Sequence, residues 1–328
     1  MTINEFKATL NTWGQQKVPF LFWVDFELEK PVAIKLTEVD FRKVLFNING
    51  ITNTESRPAH LPLPRERVGV REKKPISLSD YKSKFSKVAY HLNYGDSYLT
   101  NLTVKTEIEL SQSLRDIFCD SSAKYKLWVD DQFLVFSPET FIQIREGEIY
   151  SFPMKGTIDA SIPGASEIIL NSIKEKSEHV TIVDLIRNDL SMVASDVHVT
   201  RFRYLEKIMT SHKDLLQVSS EIVGTLPDDY QSKLGDILIA LLPAGSVSGA
   251  PKPKTVEIIR QAEQEKRGYY TGVVGLFDGE NLDSGVMIRF IEKNNKRYFY
   301  RSGGGITTQS DVEMEYQEMI DKVYVPID

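Results

Sequence analysis

The sequence predicts an α+β fold with extensive antiparallel sheet. Three observations point that way: strand-like segments come in runs rather than alternating singly with helices, helical periodicity is confined to a few segments, and no stretch repeats at a fixed period. Taken in order, Phe20–Phe26 is an aromatic and β-branched run, and Val44–Ile48 is a second short apolar strand. Asn53–Pro75 carries Pro58, Pro62, Pro64 and Pro75 among Arg57, Arg65, Arg67, Arg71, Lys73 and Lys74, which reads as a loop or linker because proline breaks both ladders and helices. A helix is expected over Ser79–Leu92, then strands at Ser97–Ile108, Tyr125–Val129, Phe133–Phe136 and Phe141–Ile144. Helical spacing returns over Ser166–Leu185, followed by strands His198–Phe202 and Leu215–Val223. The C-terminal part predicts helices at Lys233–Leu242, Thr255–Lys266 and Asp311–Val323, with strands at Thr271–Phe277, Val286–Ile291 and Arg297–Arg301.

At 328 residues the chain can bury a substantial core as one large or two intimate domains. Hydrophobic residues at 41% and charged residues at 26% are ordinary for a globular protein and argue against disorder. A net charge of −6 provides no basic field for a polyphosphate backbone, which argues against a nucleic-acid partner. The one cysteine, Cys119, cannot form an internal disulfide and reads as a small core residue. Met1 to Gln16 has no secretory pattern, and the longest apolar runs, such as Ile237 to Leu242, are too short to span a bilayer, so a cytoplasmic location and no membrane partner are expected.

The chemistry-bearing segments lie later in the chain. Arg301-Ser302-Gly303-Gly304-Gly305-Ile306 reads as a strand that stops at three glycines, whose N–H groups could turn onto an anion. Ser310 and Glu313 have capping-box spacing, which puts Glu315 and Glu318 on one face of the helix that follows. Glu175 and Glu178 form a second pair with the same spacing. Carboxylates without a histidine or cysteine cluster suit Mg²⁺ better than zinc or copper. Lys155, in Phe152-Pro153-Met154-Lys155-Gly156-Thr157, sits in a turn from which a side chain can project. A nucleophilic lysine there must be neutral, which requires a lowered pKa. The small-residue loop Leu242 to Lys252, with Ser246, Ser248 and Lys252, reads as a carboxylate cradle and lacks the spacing of a phosphate loop.

The order of these segments resembles the chorismate-utilising enzymes from about Gly95 to Lys322. The resemblance is carried by Gly95 to Tyr98 with Asn101-Leu102, Ser137-Pro138-Glu139, Pro153 to Thr157, Glu178-His179 with Val183 to Asp189, Pro243 to Lys252, Tyr270 to Gly272, Ile288-Arg289 and Gly303 to Glu318. It implies two large antiparallel sheets packed face to face with helices outside. It also implies a single chorismate-binding domain over residues 1–328, with a shortened N-terminal portion (residues 1–75). Lys155 in a P-x-K-G-T motif is similar to the aminodeoxychorismate synthase component I branch, where anthranilate synthases carry alanine. The lysine that activates water in isochorismate synthases is matched by Leu99.

The resemblance further implies that Lys155 attacks chorismate with Glu139 as general acid, and that Glu175, Glu178, Glu315 and Glu318 hold Mg²⁺. Arg289, Tyr270 and Gly303, Gly304 and Gly305 would meet the enolpyruvyl carboxylate, while Ser246, Ser248 and Lys252 line the ring-carboxylate side. Ammonia would come from solution or from a separate glutaminase subunit, since no glutaminase signature is present. Gln217 stands where anthranilate synthases carry a histidine. Anthranilate synthase component I and a catalytically silent glutaminase-binding subunit are the alternatives.

Overall fold

The computed structural model describes residues 1–54, 69–208 and 214–326. In order of paired neighbours, the first antiparallel sheet is β11 (Met154–Asp159), β13 (Leu215–Thr225), β10 (Glu148–Ser151), β9 (Thr140–Arg145), β16 (Leu282–Val286), β15 (Val273–Phe277), β1 (Phe20–Val24) and β2 (Val32–Lys35). The long β12 (Ser195–Ile208) also pairs with β13. The second sheet is β14 (Gly249–Ala250), β6 (Leu99–Leu110), β18 (Arg297–Ile306), β17 (Phe290–Asn294), β8 (Phe133–Ser137), β7 (Tyr125–Val129), β3 (Val44–Ile48) and β4 (Ile51–Thr52), with β5 (Val70–Lys74) also on β6.

β1 explains why the sheets stack. Its five residues are all buried, so both faces must be covered. The alternation of a strand sends Phe20, Phe22 and Val24 to one side, where they meet Phe6 and Leu10 of α1 (Ile3–Gln15) and Leu234 and Leu238 of α6 (Leu234–Leu241). Leu21 and Trp23 go to the other side and pack with Phe46, Leu127, Val135 and Phe290 of the second sheet. The second sheet is covered elsewhere by α3 (Leu114–Asp120), and over β6 and β18 by α2 (Leu78–Tyr94), α8 (Lys252–Glu263) and α9 (Val312–Asp321). Two face-to-face antiparallel sheets with helices outside are therefore the fold, as the resemblance implied.

Several elements differ from expectation for identifiable reasons. The expected helix Ser166–Leu185 is two helices, α4 (Ala165–Asn171) and α5 (Ile173–Leu190), parted at Ser172, whose hydroxyl accepts from the Glu175 N–H. The expected strand Val286–Ile291 is interrupted: β16 ends at Val286 in the first sheet and β17 begins at Phe290 in the second, with Arg289 at φ 54 between them. The turn over Gly245–Ser248 (α7) and β14 fill the expected small-residue loop, so α8 starts at Lys252 rather than Thr255. Within the expected loop Asn53–Pro75, Val70–Lys74 is strand β5, an edge strand whose charged side chains face solvent; residues 55–68 lie outside the described residues. α1 was not anticipated, because only Phe6, Leu10 and Gly14 of it are buried, a stripe too narrow to stand out.

The helices over β6 are tied down by a buried ion pair. Glu263 and Arg267 are each 1% exposed and 2.6 Å apart. Glu263 also accepts from the Thr103 N–H at 2.9 Å, while Arg267 donates to the Asn101 and Val247 carbonyls, both at 2.7 Å. Every strong donor and acceptor of the pair is thus used, which offsets much of its desolvation. Glu263→Ala strands a buried guanidinium and is expected to cost about 3–5 kcal/mol in urea unfolding, whereas the double change Glu263→Leu/Arg267→Met is expected to recover most of that.

Candidate active site

The two glutamate pairs and Lys155 converge from both sheets. Lys155 lies in β11 at the edge of the first sheet, where the register with β13 shifts between Met154 and Thr157, and Gly156 takes φ 95. α5 runs along that edge. A Cβ on Gly156 would come within 2.9 Å of Glu175 Oε2, and Lys155 Nζ lies 2.9 Å from Glu178 Oε2. From the second sheet, α9 crosses β18 so closely that a Cβ on Gly304 would meet Glu315 Oε2 at 3.2 Å and Glu318 Oε1 at 3.7 Å.

This corrects the reading of the glycine triplet. Gly303, Gly304 and Gly305 do not end the strand; they lie inside β18, opposite Thr103, Leu102 and Asn101 of β6. Their role is room: at Gly303 a Cβ would overlap the Leu102 carbonyl oxygen (2.2 Å), and at Gly305 it would press on Leu99 (2.9 Å). The helix cap is also reassigned. Asp311 accepts from the Glu313 and Met314 N–H groups, freeing the Ser310 hydroxyl to donate to Glu315 Oε1 at 2.8 Å.

Lys322, which the sequence reading passed over, completes the cluster. It lies four residues after Glu318, an i,i+4 spacing that was visible, and its ammonium sits 2.6 Å from Glu318 and 2.8 Å from the Gly303 carbonyl. Burial pushes its pKa below the usual lysine range, aided by Arg289 and Lys155 and opposed by Glu318. Burial would also lower Lys155, but Glu178, then Glu318 and Glu175, outweigh it and hold that ammonium up. Glu318 is pushed up by burial yet ends lowered, because Lys322, Lys155 and Lys174 favour its charge. Burial raises Glu315, and Glu318 adds to the rise.

Glu139 follows β8. Burial raises its pKa, against the opposing effects of a short hydrogen bond from the Ser246 hydroxyl and the charges of Arg289 and Lys322. Arg289 is half-buried, lies 5.2 Å from the Tyr324 ring, and has a buried Nε without a hydrogen-bond partner. A guanidinium with a buried, unused donor is suited to an anion. Burial pushes the Tyr270 hydroxyl, near it, up to about 12. Of the small-residue loop only Ser246 reaches this group. The Ser248 hydroxyl bonds the Ala244 carbonyl, and Lys252 pairs with Asp189 at 2.9 Å and donates to the Leu241 carbonyl. Gln217 sits in β13 opposite Thr157.

A cleft of about 140 Å³ reaches the cluster at Glu178 and is lined also by Lys174 and Leu99, among others. Leu99 therefore stands at the cleft wall with no group that can take a proton. The oxygen donors suit a hard cation in kind. Among the described residues, however, no three His, Cys, Asp or Glu side chains are close enough to ligate one ion, since lysines and Ser310 hold the carboxylates.

A sheet sandwich with an arginine whose Nε is buried and unpartnered, a carboxyl of raised pKa and opposed glutamate pairs is suited to a small anionic substrate. Residues 14–328 match the chorismate binding enzyme family, and the chain belongs to it. It is similar to an uncharacterized PabA-like protein of Haemophilus influenzae, 48% identical over 327 residues, covering 100% of this chain and 98% of that protein. It is 33% identical to aminodeoxychorismate synthase component 1 of Salmonella typhimurium over 74% of this chain, and spans 56% of that protein. The structure of anthranilate synthase component I from Streptococcus pneumoniae superposes with a TM-score of 0.68 at 26% identity, over 80% of this chain and 62% of the other. No described helix is long and apolar enough to cross a membrane.

The raised pKa of Glu139 makes a directional prediction. A carboxyl whose folded pKa is raised holds its proton above the ordinary range and loses it as pH rises, so turnover should fall with rising pH through a group above about 4.5. Glu139→Gln, which cannot give a proton, is expected to lower kcat by about 10²–10⁴-fold and to remove that limb of the pH–rate profile.

Proposed function

We propose that this chain is the chorismate-aminating component of an aminodeoxychorismate synthase, converting chorismate and ammonia to 4-amino-4-deoxychorismate and water. The observation that carries the reading is the placement of Lys155, a half-buried amine that projects from the bulged β11 to 2.9 Å from Glu178 Oε2, within reach of a carboxylate that can take its proton. The family likeness supplies chorismate as the substrate class, and the likeness to aminodeoxychorismate synthase component 1 supports the branch.

In this reading Arg289, with its unused Nε, and Tyr270 take the enolpyruvyl carboxylate. Lys155 first passes its extra proton to Glu178, and the neutral amine forms a bond to C2 while the ring double bond shifts and the C4–O bond breaks. Glu139, whose hold on a proton is strengthened by desolvation, gives that proton to the departing hydroxyl, which leaves as water. Ammonia then forms the bond to C4, the double bond shifts back, and Lys155 leaves C2 with its electron pair. The proton shed by the new ammonium returns to Glu139. Ser246 orients Glu139, and Lys322 keeps Glu318 in place.

Glu178 and Glu318, with Glu175 and Glu315, are the carboxylates that would hold Mg²⁺ once the contacts with Lys155, Lys322 and Ser310 are exchanged. Such an ion would supply fixed positive charge against the ring carboxylate. Ammonia comes from solution or from a separate glutaminase subunit.

The likeness to an anthranilate synthase component I favours a second reading, in which the same site eliminates pyruvate and yields anthranilate. A product assay with chorismate, Mg²⁺ and high ammonium decides. Purified protein is expected to give p-aminobenzoate only when aminodeoxychorismate lyase is added, and Lys155→Ala is expected to lose about 10³-fold or more of that activity. Anthranilate formation that Lys155→Ala leaves unchanged would establish the second reading instead.

A further inference from the structure

The site contains a buried imidazole that this reaction scheme leaves unused. His179 is fully buried on α5, next to Glu178. Its Nε2 lies 2.7 Å from Ser220 Oγ and its Nδ1 3.3 Å from the Lys155 carbonyl oxygen. A carbonyl can only accept, so Nδ1 carries the proton and Nε2 accepts from the Ser220 hydroxyl. Ser220 Oγ in turn accepts from the Arg203 N–H at 2.9 Å. Each partner fixes the next: Arg203 N–H to Ser220, Ser220 O–H to His179, and His179 Nδ1–H to the carbonyl of Lys155.

That carbonyl needs an outside partner because of where Lys155 stands. Met154 is opposite Ser219 and Thr157 opposite Gln217, so Lys155 and Gly156 together face the single residue Val218. Bulged residues lose part of their ladder bonding, and a buried carbonyl must be satisfied otherwise. α5 grips both bulged residues with one face: Glu175 against Gly156, Glu178 on the Lys155 ammonium and His179 on the Lys155 carbonyl. Residues three and four apart share a helix face, so the same rotation of α5 presents all three.

We propose that His179 is a positioning residue for Lys155, pinning the main chain of the bulge so that the amine enters the carboxylate cluster from a fixed direction. The proposal rests on reading Lys155 as the reacting amine. The test compares His179→Leu, which removes the donor, with His179→Asn, whose amide N–H can stand where Nδ1–H was. Ser220→Ala, which removes only the hydroxyl that donates to Nε2, serves as the milder variant. The readouts are kcat and KM for chorismate with high ammonium, and the rate at which cyanate carbamylates Lys155, followed by peptide mass spectrometry.

In His179→Leu, kcat is expected to fall about 100-fold with KM for chorismate nearly unchanged, and the carbamylation rate of Lys155 to shift by about fivefold or more. His179→Asn is expected to restore both to within about threefold of wild type. Ser220→Ala is expected to shift both in the direction of His179→Leu by a smaller factor, and this comparison decides if the leucine variant does not fold. An asparagine variant as impaired as the leucine variant, a loss residing in KM, or a carbamylation rate indifferent to these changes would overturn the proposal. Should the wild type form no aminodeoxychorismate, the reaction reading fails separately, and the carbamylation rates alone still decide the positioning of Lys155.

Discussion

The geometry of the site depends first on the buried Glu263–Arg267 pair. Its members stand at the end of α8 and in the loop beyond, yet their bonds reach Thr103 and Asn101 in β6 and Val247 in the turn before α8. β6 is the strand against which the glycines of β18 lie, and the same turn carries Ser246, the partner of Glu139. One ion pair therefore sets the spacing between the wall that carries α9 and the corner that holds the buried carboxyl. Its net worth to stability is small in principle, because burying charge costs nearly as much as pairing it returns. Its value lies in geometry: few other arrangements satisfy all of its donors.

Much of the fold was legible because the core strands are so apolar. Val44–Ile48, Tyr125–Val129 and Leu215–Val223 needed only their composition to be placed. The misreadings share a cause. Gly303 to Gly305 looked like a strand end because glycine usually marks freedom of the backbone, whereas here it marks the nearness of α9 and Leu99, which depends on a helix that follows in sequence and a strand far earlier in the chain. Met287 to Arg289 looked like strand because its residues are apolar or long, but the chain there passes from one sheet to the other, and nothing local announces such a crossing. Of the candidate site, the glutamate pairs, Lys155, Glu139 and Arg289 do come together. Lys322 and His179 were missed because each acts through a neighbour, by neutralising Glu318 or by holding a main-chain carbonyl.

The cluster is balanced without being inert. Lys155 and Lys322 each sit on one glutamate of a pair, Glu178 and Glu318, while Glu315 accepts from Ser310. Neighbouring charges in such a cluster are coupled, so removing one changes the balance felt by its ion-pair partner. Arg289, by contrast, has an open donor and an unusual backbone conformation, both available before any ligand arrives. On the proposed function, the site thus pairs an arginine that receives the substrate's anion with carboxylates that exchange lysine partners for an ion.

The bulge in β11 also bears on how chemistry could diverge within this scaffold. Side chains of a strand alternate between faces with a period of two, so removing a single residue from Met154 to Thr157 would restore the register with β13 and change which side chain α5 confronts. A lysine need not be mutated to be withdrawn from such a site; one codon lost upstream or downstream of it would turn it toward the opposite face. Lineages of this fold could in that way gain or lose an amine nucleophile by a change in length, leaving the sheets, the arginine and the carboxylates untouched.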